Sequence, residues 1–232
     1  MGQYYYPVIM EAGGCKIVGS FLSHNFDNNG LKLTEHSYIG NFFVNSVVAK
    51  AMSTLKPITL VWLGDYADVH EDLLPLAAHR NTDPANNKGH VHRDYGRMFR
   101  KAQKTIEQSL YRIQPEDPDV NEYLKFAENC VIYDLVTRQK LVLRDYKSNV
   151  IDYRIQNGMP DLCEDVADFI LHPLPLLTCL GNGKGGGDYY GRCMEWVGAW
   201  ALHALAILPE GLPDPDGEWE DISSQIVFEE NR

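Results

Sequence analysis

One largely apolar run constrains the fold more than any other part of the sequence. The segment PITLVWLGDYAD spans residues 57–68, and five of the six residues from Ile58 to Leu63 are apolar. A short run of this kind, rich in β-branched and aromatic residues and ending at a Gly-Asp turn signal, is typical of a buried strand. The sequence therefore predicts a core strand at 58–63.

Other runs predict strands that could join this one in a sheet. Residues 3–10 and 15–22 flank the turn residues EAGG and predict a hairpin, with Pro7 placing the first strand at an edge because proline has no N–H to donate. Residues 129–146 contain two β-rich runs joined around 137–140 and predict a second hairpin. Residues 193–208 suit either a helix or a strand, and the closing ALAIL favours a strand.

Two stretches have helical spacing. Apolar residues recur every three or four positions between His36 and Met52, and Thr34 or Ser37 could cap this helix. A second amphipathic helix is predicted from Met98 to Ile113. The prolines in FILHPLPLLTCL (169–180) argue against a central strand there. Without regular strand–helix alternation, the fold class predicted is α+β, an antiparallel or mixed sheet with two main amphipathic helices.

Charge is unevenly distributed along this acidic chain, whose net charge is −11. Residues 209–232 carry eight acidic residues against one arginine, whereas 79–104 carry seven basic residues against two aspartates. We predict a single domain at 1–208 and an acidic, partly disordered tail at 209–232. An acidic protein with a basic island at 79–104 indicates a local anion site or a solvated helix face, rather than a nucleic-acid-coating surface.

The cysteines and the apolar runs bear on the cellular compartment. Five scattered cysteines form no Cys-x-x-Cys pair, which argues against zinc-ribbon and thioredoxin-like sites. No signal peptide is recognised, and no run reaches the roughly 18 apolar residues of a membrane helix. We therefore expect a cytoplasmic protein without a membrane partner; oligomeric state and cofactors stay open.

The glycine-rich stretch LGNGKGGGDYYG (180–191) is the first candidate ligand site. It matches Gly-x-Gly-x-x-Gly, but the prolines before it and the short chain after it do not fit a dinucleotide-binding fold, and no P-loop Gly-Lys-Ser/Thr is present. Bare glycine N–H groups can still converge on an anion. The candidate ligand contacts in this stretch are Gly181, Gly183, Lys184, Gly187 and Tyr189, and Asp188 is a candidate catalytic residue. A structural bend between two strands would look the same.

Acids and histidines elsewhere supply further candidates. Glu35 and His36 stand at the start of the first predicted helix, where His36 could act as a general base and Glu35 could contact ligand. Asp65 and Asp68 follow the core strand and could hold Mg²⁺ or cap a turn. His90 and His92 are a weak metal signal, because zinc needs three or four ligands, so the metal stays unknown.

Three blocks together are similar to a family of uncharacterised bacterial and phage-associated proteins. They are GLKLTEHSYIGN (30–41), WLGDYAD (62–68) and HPLPLLTCLGNGKGGGDYYG (172–191), followed by WVGAWA. The resemblance implies no reaction, because the family has no established activity. It implies that eight residues belong to a shared pattern: Glu35, His36, Asp65, Asp68, Gly181, Gly183, Gly187 and Asp188.

Two functions are predicted. The first is binding, with hydrolysis as a further step, of a small anionic phosphate- or nucleotide-like ligand at the glycine-rich loop, with His36, Asp65 and Asp188 as catalytic candidates. The alternative is a non-enzymatic interaction protein, phage- or defence-related, that acts through its acidic tail or its basic island. Whether the protein is an enzyme is left open.

Overall fold

The computed structural model describes residues 3–12, 17–21, 32–64, 67, 112–159, 169–183 and 185–230. The described strands are β1 (Tyr5–Glu11), β2 (Ile17–Phe21), β3 (Ile58–Gly64), β4 (Arg112–Ile113), β5 (Cys130–Asp134), β6 (Gln139–Val142), β7 (Cys179–Leu180), β8 (Ala204–Pro209) and β9 (Glu220–Asp221). The described α-helices are α1 (Phe42–Ser53), α2 (Pro118–Leu124), α3 (Leu143–Gln156) and α4 (Pro173–Leu177), and a 3₁₀ turn spans Met194–Trp196.

The strands form one mixed sheet. Their order is β4-β2-β1-β3-β8-β5-β6-β9, and β7 lies parallel against the end of β3. Pairs β1–β2, β1–β3, β3–β8, β5–β6 and β5–β8 are antiparallel, whereas β2–β4 and β6–β9 are parallel. The α+β fold class predicted from the sequence is confirmed.

The predicted core strand lies in the interior of this sheet. Every residue of β3 is buried, and β3 pairs with β1 along its whole length, from Ile58 opposite Glu11 to Gly64 opposite Tyr5. The prediction that Pro7 marks an edge strand is wrong, because β1 lies between β2 and β3. Proline is tolerated there because the paired residues of β1 and β2 begin at Val8, beyond Pro7.

The first predicted helix packs on the sheet. It begins at Phe42 because the side chain of Asn41 accepts hydrogen bonds from the N–H groups of Phe43 (3.0 Å) and Val44 (3.2 Å), so the expected cap at Thr34 or Ser37 is wrong. The ring of Phe43 meets the ring of Trp62 edge-on, 6.1 Å between centroids, which joins α1 to β3. Most of the second predicted helix lies outside the described residues, and its last residue, Ile113, is in β4.

Two segments differ from their sequence predictions in part. The hairpin at 129–146 is present as β5 and β6, but the chain turns into α3 at Leu143, with Tyr146, Val150 and Arg154 on the buried face. The segment 169–180 contains α4, whose prolines stand in its first turn, where a missing N–H costs nothing. In the segment 193–208, only residues from Ala204 onward form the expected strand.

The chain after Pro209 forms β9, which pairs with β6, and then enters the core. Ile222, Ile226 and Phe228 are completely buried. The guanidinium group of Arg154 on α3 binds the carboxylate of Glu229 through two hydrogen bonds of 2.7 and 3.0 Å. The acidic residues lie mainly before this apolar group, which is why composition alone suggests a solvated tail.

Candidate functional site

The glycine-rich loop starts at the end of β7 and is held by its own side chains. Asn182 bonds both backbone polar groups of Tyr189: its Oδ1 accepts from the N–H (2.8 Å) and its Nδ2 donates to the carbonyl (3.1 Å). The carboxylate of Asp188 accepts a hydrogen bond from the N–H of Gly185 at 2.9 Å. These bonds give the loop a defined shape instead of leaving it an open bend.

The N-terminal residues lie directly against this loop. The N–H of Gln3 donates to the carbonyl of Gly186 (2.7 Å), and the hydroxyl of Tyr5 donates to Oδ1 of Asp188 (2.8 Å). A Cβ on Gly185 would lie only 2.7 Å from the Cβ of Gln3. Glycine is therefore required at position 185 by the close approach of residue 3.

The end of the core strand reaches the same place. Gly64 is opposite Tyr5 in the sheet, and the turn that follows is closed by a 3.0 Å hydrogen bond from the N–H of Ala67 to the carbonyl of Gly64. A Cβ on Gly181 would lie 2.9 Å from the Cα of Ala67. The turn is thus in contact with the loop, although Asp65 and Asp68 themselves lie outside the described residues.

A charged group approaches the loop from residues 32–36. A Cβ on Gly187 would lie 2.7 Å from Cδ of Lys32, so the lysine stem covers this glycine. The ammonium group of Lys32 binds Oε1 of Glu35 at 2.5 Å, and the other carboxylate oxygen of Glu35 is 4.0 Å from Nε2 of His36. The hydrogen bond that Lys32 donates to Glu35 is the main cause that raises the pKa of Lys32 above its ordinary value.

We call this group of segments the loop cluster; it comprises residues 3–5, 32–36, 64, 67, 181–183 and 185–188. It brings together Glu35, His36, Gly181, Gly187 and Asp188 from the sequence-predicted set. Gly183 is exposed at the tip of the loop. Lys184 and Asp65 lie outside the described residues, so their places in the site stay predictions.

Tyr189 is buried rather than open to the solvent. Its ring is 0% exposed and meets Phe228 edge-on, and its hydroxyl donates to the carbonyl of Arg192 at 2.6 Å. Burial raises the pKa of its phenol above the ordinary value. Tyr190, which is 73% exposed, is the tyrosine of this loop that solvent reaches.

Sequence reasoning missed three residues of the loop cluster. Lys32 stands inside the quoted block GLKLTEHS, so its charge beside Glu35 was a readable signal. Gln3 and Tyr5 carry no signal, because their partners are more than 180 positions away in the chain. The carboxamide of Gln3 is completely buried, and neither of its polar atoms has a hydrogen-bond partner in the described part of the chain.

Other features of the described residues lie away from the loop cluster. A cavity of about 540 Å³ is at the opposite end of the β1–β3 pair; its lining includes Glu11, Val18, Thr54, Lys56 and Ile58. Among the described residues, no three His, Cys, Asp or Glu side chains are arranged to hold a metal ion. His90 and His92 lie outside these residues. None of the described helices is long and apolar enough to cross a membrane.

The chain was compared with protein-family models, curated proteins and solved structures, and none of them matches.

Proposed function

We propose that this protein binds a small anionic ligand, phosphate- or nucleotide-like, at the loop cluster. The observation that carries the proposal is the position of Lys32. Its stem lies against Gly187 on the glycine-rich loop, and its side chain keeps 29% of its surface exposed. A cation beside a glycine-rich turn is a common way to hold an anion.

Backbone groups of the loop support this proposal. Gly183 and Gly187 have φ angles of +86° and +84°, a region that glycine adopts readily and other residues rarely do. A Cβ on Gly183 would meet no described residue within 4 Å, so these residues leave the tip of the loop open. Successive N–H groups in such turns can point at one anion, and Lys184, next to Gly183, is a further predicted contact.

The buried amide of Gln3 favours a ligand larger than bare phosphate. A buried polar group without a partner costs about 1–3 kcal/mol. A carboxamide offers donors and an acceptor side by side, which match the hydrogen-bonding edge of a nucleobase. Because Gln3 is completely buried against Gly64 and Gly181, a nucleotide-like ligand would recover this cost only where these segments part to admit it, whereas phosphate alone would not.

The catalytic candidates take different parts in this proposal. Asp188 already accepts hydrogen bonds from Tyr5 and Gly185, so we assign it the role of holding the loop in shape. His36 is the candidate general base for hydrolysis, because its side chain is 34% exposed beside Lys32 and Glu35. Asp65 stays a predicted catalytic residue.

Calorimetric titration of the full chain with inorganic phosphate, pyrophosphate and ATP tests the proposal. We expect Lys32→Gln to weaken binding about tenfold or more, because a hydrogen bond to a charged group contributes about 1.5–3 kcal/mol. Lys50→Gln is the matched control, since Lys50 on α1 makes a similar ion pair with Asp119 on α2 (2.6 Å). No binding of any of the three ligands, or equal affinities in the two variants, would contradict the proposal.

A further inference from the structure

A second group of polar side chains lies at the turn between β5 and β6, outside the loop cluster. Asp134, the last residue of β5, is completely buried. Its Oδ1 accepts a hydrogen bond from the N–H of Val136 (3.0 Å), and its Oδ2 accepts one from the hydroxyl of Thr137 (2.6 Å). These bonds fix the carboxylate in one orientation at the turn.

A histidine completes this group. Nδ1 of His203, the residue just before β8, is 2.8 Å from Oδ2 of Asp134. A carboxylate accepts hydrogen bonds, so this contact favours the tautomer in which Nδ1 donates to Asp134 and Nε2 keeps its lone pair. The side chain of His203 is 29% exposed, whereas that of Asp134 is not exposed at all.

The backbone around His203 is also held firmly. The N–H of His203 donates to the carbonyl of Trp200 (3.1 Å), and the N–H of Trp200 donates to the carbonyl of Leu177 (2.8 Å). The indole N–H of Trp200 donates to the side chain of Gln139 at 3.3 Å. Leu202, between them, has a φ of +66°, an uncommon conformation for a residue with a side chain.

We propose that Asp134 and His203 form a second reactive site, in which Nε2 of His203 is a base or nucleophile toward neutral acyl compounds such as esters. A buried carboxylate that orients Nδ1 is the arrangement by which hydrolases keep the other ring nitrogen basic. His203 is the catalytic residue of this site, and Asp134 is its positioning residue.

The charge of the surroundings decides the substrate class. Gln139, which accepts a hydrogen bond from Thr137 (3.1 Å), donates one to the carboxylate of Glu220 (3.1 Å). Two carboxylates, those of Asp134 and Glu220, therefore lie within one network of polar contacts around His203. Arg138 in the same turn is directed away, over the ring of Trp219 and toward the carbonyl of Asp216. This local negative charge disfavours phosphates and favours uncharged substrates.

The reaction with an ester is a two-step hydrolysis. The lone pair of Nε2 attacks the carbonyl carbon, the bond from carbon to the leaving oxygen breaks, and the alcohol departs as its anion. Water then attacks the acyl-imidazolium cation, which releases the carboxylic acid and restores the imidazole, and the remaining proton of the water goes to solvent. Asp134 keeps its hydrogen bond to Nδ1 throughout.

Hydrolysis of p-nitrophenyl acetate by the full chain tests the proposal. We expect His203→Gln and Asp134→Asn each to lower the rate about 100-fold, the usual size of a general-base or nucleophile contribution. Asp119→Asn is the matched control, because Asp119 is 57% exposed on α2, and it should leave the rate unchanged. A rate in His203→Gln equal to that of the parent overturns the proposal.

A second readout separates positioning from folding. Diethylpyrocarbonate acylates the bare nitrogen of neutral histidine, and His36 is a reference of similar exposure, 34%, whose Nε2 is 4.0 Å from the carboxylate of Glu35. We expect His203 to be labelled about tenfold faster than His36 in the parent protein. Asp134→Asn should remove this advantage and move the proton to Nε2, as seen by ¹⁵N NMR, with the circular dichroism unchanged. Equal labelling of the two histidines in the parent protein overturns the proposal. This site uses no residue of the loop cluster, so its failure would leave the proposed anion site intact.

Discussion

The glycines of the loop do not share one physical reason. Gly185 is required by close approach alone, because a Cβ there would meet the backbone and Cβ of Gln3. Gly183 is required by its positive φ alone, since the space beside it is open. Gly181 combines both, with a φ of +103° and Ala67 close by. Of these three glycines, Gly183 is therefore the one beside which the described residues leave room for a ligand.

The Lys32–Glu35 ion pair sets the affinity expected at the loop cluster. Glu35→Gln removes the carboxylate that holds the ammonium group, so Lys32 becomes available to an external anion. An exposed ion pair holds its lysine only weakly, so we expect phosphate affinity to rise up to about fivefold, measured by calorimetric titration. Glu128→Gln, on an exposed residue that bonds Asn45, is the control and should change nothing. Weaker binding in Glu35→Gln would instead make Glu35 a direct ligand contact.

At the scale of elements, the sequence predicts those strands and helices whose signals lie within a few neighbouring residues. The buried run of β3 and the two hairpins were readable, because strand signals lie within a few residues. Helix α3 was missed because the β-like residues of β6 run straight into it, although Leu143, Tyr146 and Val150 recur at helical spacing. Pro7 misled the prediction, because the position of a strand in a sheet depends on partners far along the chain.

The candidate site was predictable only in its parts, for the same reason. The blocks around Glu35 and Gly181 could each be recognised, but they meet through Lys32 and Gly187, which are far apart in the chain. The Asp134–His203 pair had no signal at all, because β5 and β8 become neighbours only when the sheet forms.

The cap of α4 gives a prediction about acid stability. Nδ1 of His172 accepts a hydrogen bond from the N–H of Leu174 (3.2 Å), and complete burial lowers its pKa from 6.5 to about 3. Below pH 6.5 His172 is protonated in the unfolded chain, whereas in the folded protein it stays neutral until the pH approaches 3. Stability is therefore lost as pH falls from 6.5 toward 3, by about 1.4 kcal/mol per pH unit.

His172→Asn separates this effect from the cap itself, since asparagine can accept the same hydrogen bond but does not titrate. Between pH 8 and pH 5 we expect the parent protein to lose about 2 kcal/mol more unfolding free energy than the variant. Urea unfolding at the two pH values measures this difference. Equal losses in the two proteins would mean that His172 does not link folding to pH.

At the scale of the whole molecule, the C-terminal stretch closes the fold. It adds β9 beside β6, passes the ring of Trp219 over Tyr133 (5.0 Å between centroids), and ends at the Arg154–Glu229 ion pair. Its acidic residues and its apolar residues therefore have different roles in the structure. Asp216, Glu218 and Glu220 face solvent, whereas the apolar residues after them belong to the same core as α3.

Truncation after Pro209 should therefore unfold the protein rather than remove an independent appendage. It deletes four core side chains, Ile222, Ile226, Val227 and Phe228. At about 1.5–3 kcal/mol each, their loss approaches the roughly 5–15 kcal/mol of a typical domain. We expect the truncated chain to lose its cooperative thermal transition in circular dichroism.

The full-length variant Asp216→Asn/Glu218→Gln is the control: it removes charge without touching the core and should melt like the parent. If the acidic residues bind a partner, this full-length variant is the one that tests it. Loss of binding after truncation would reflect only the unfolding of the protein. A truncated chain that still melts cooperatively near the parent temperature would show that residues 210–232 do not stabilise the fold.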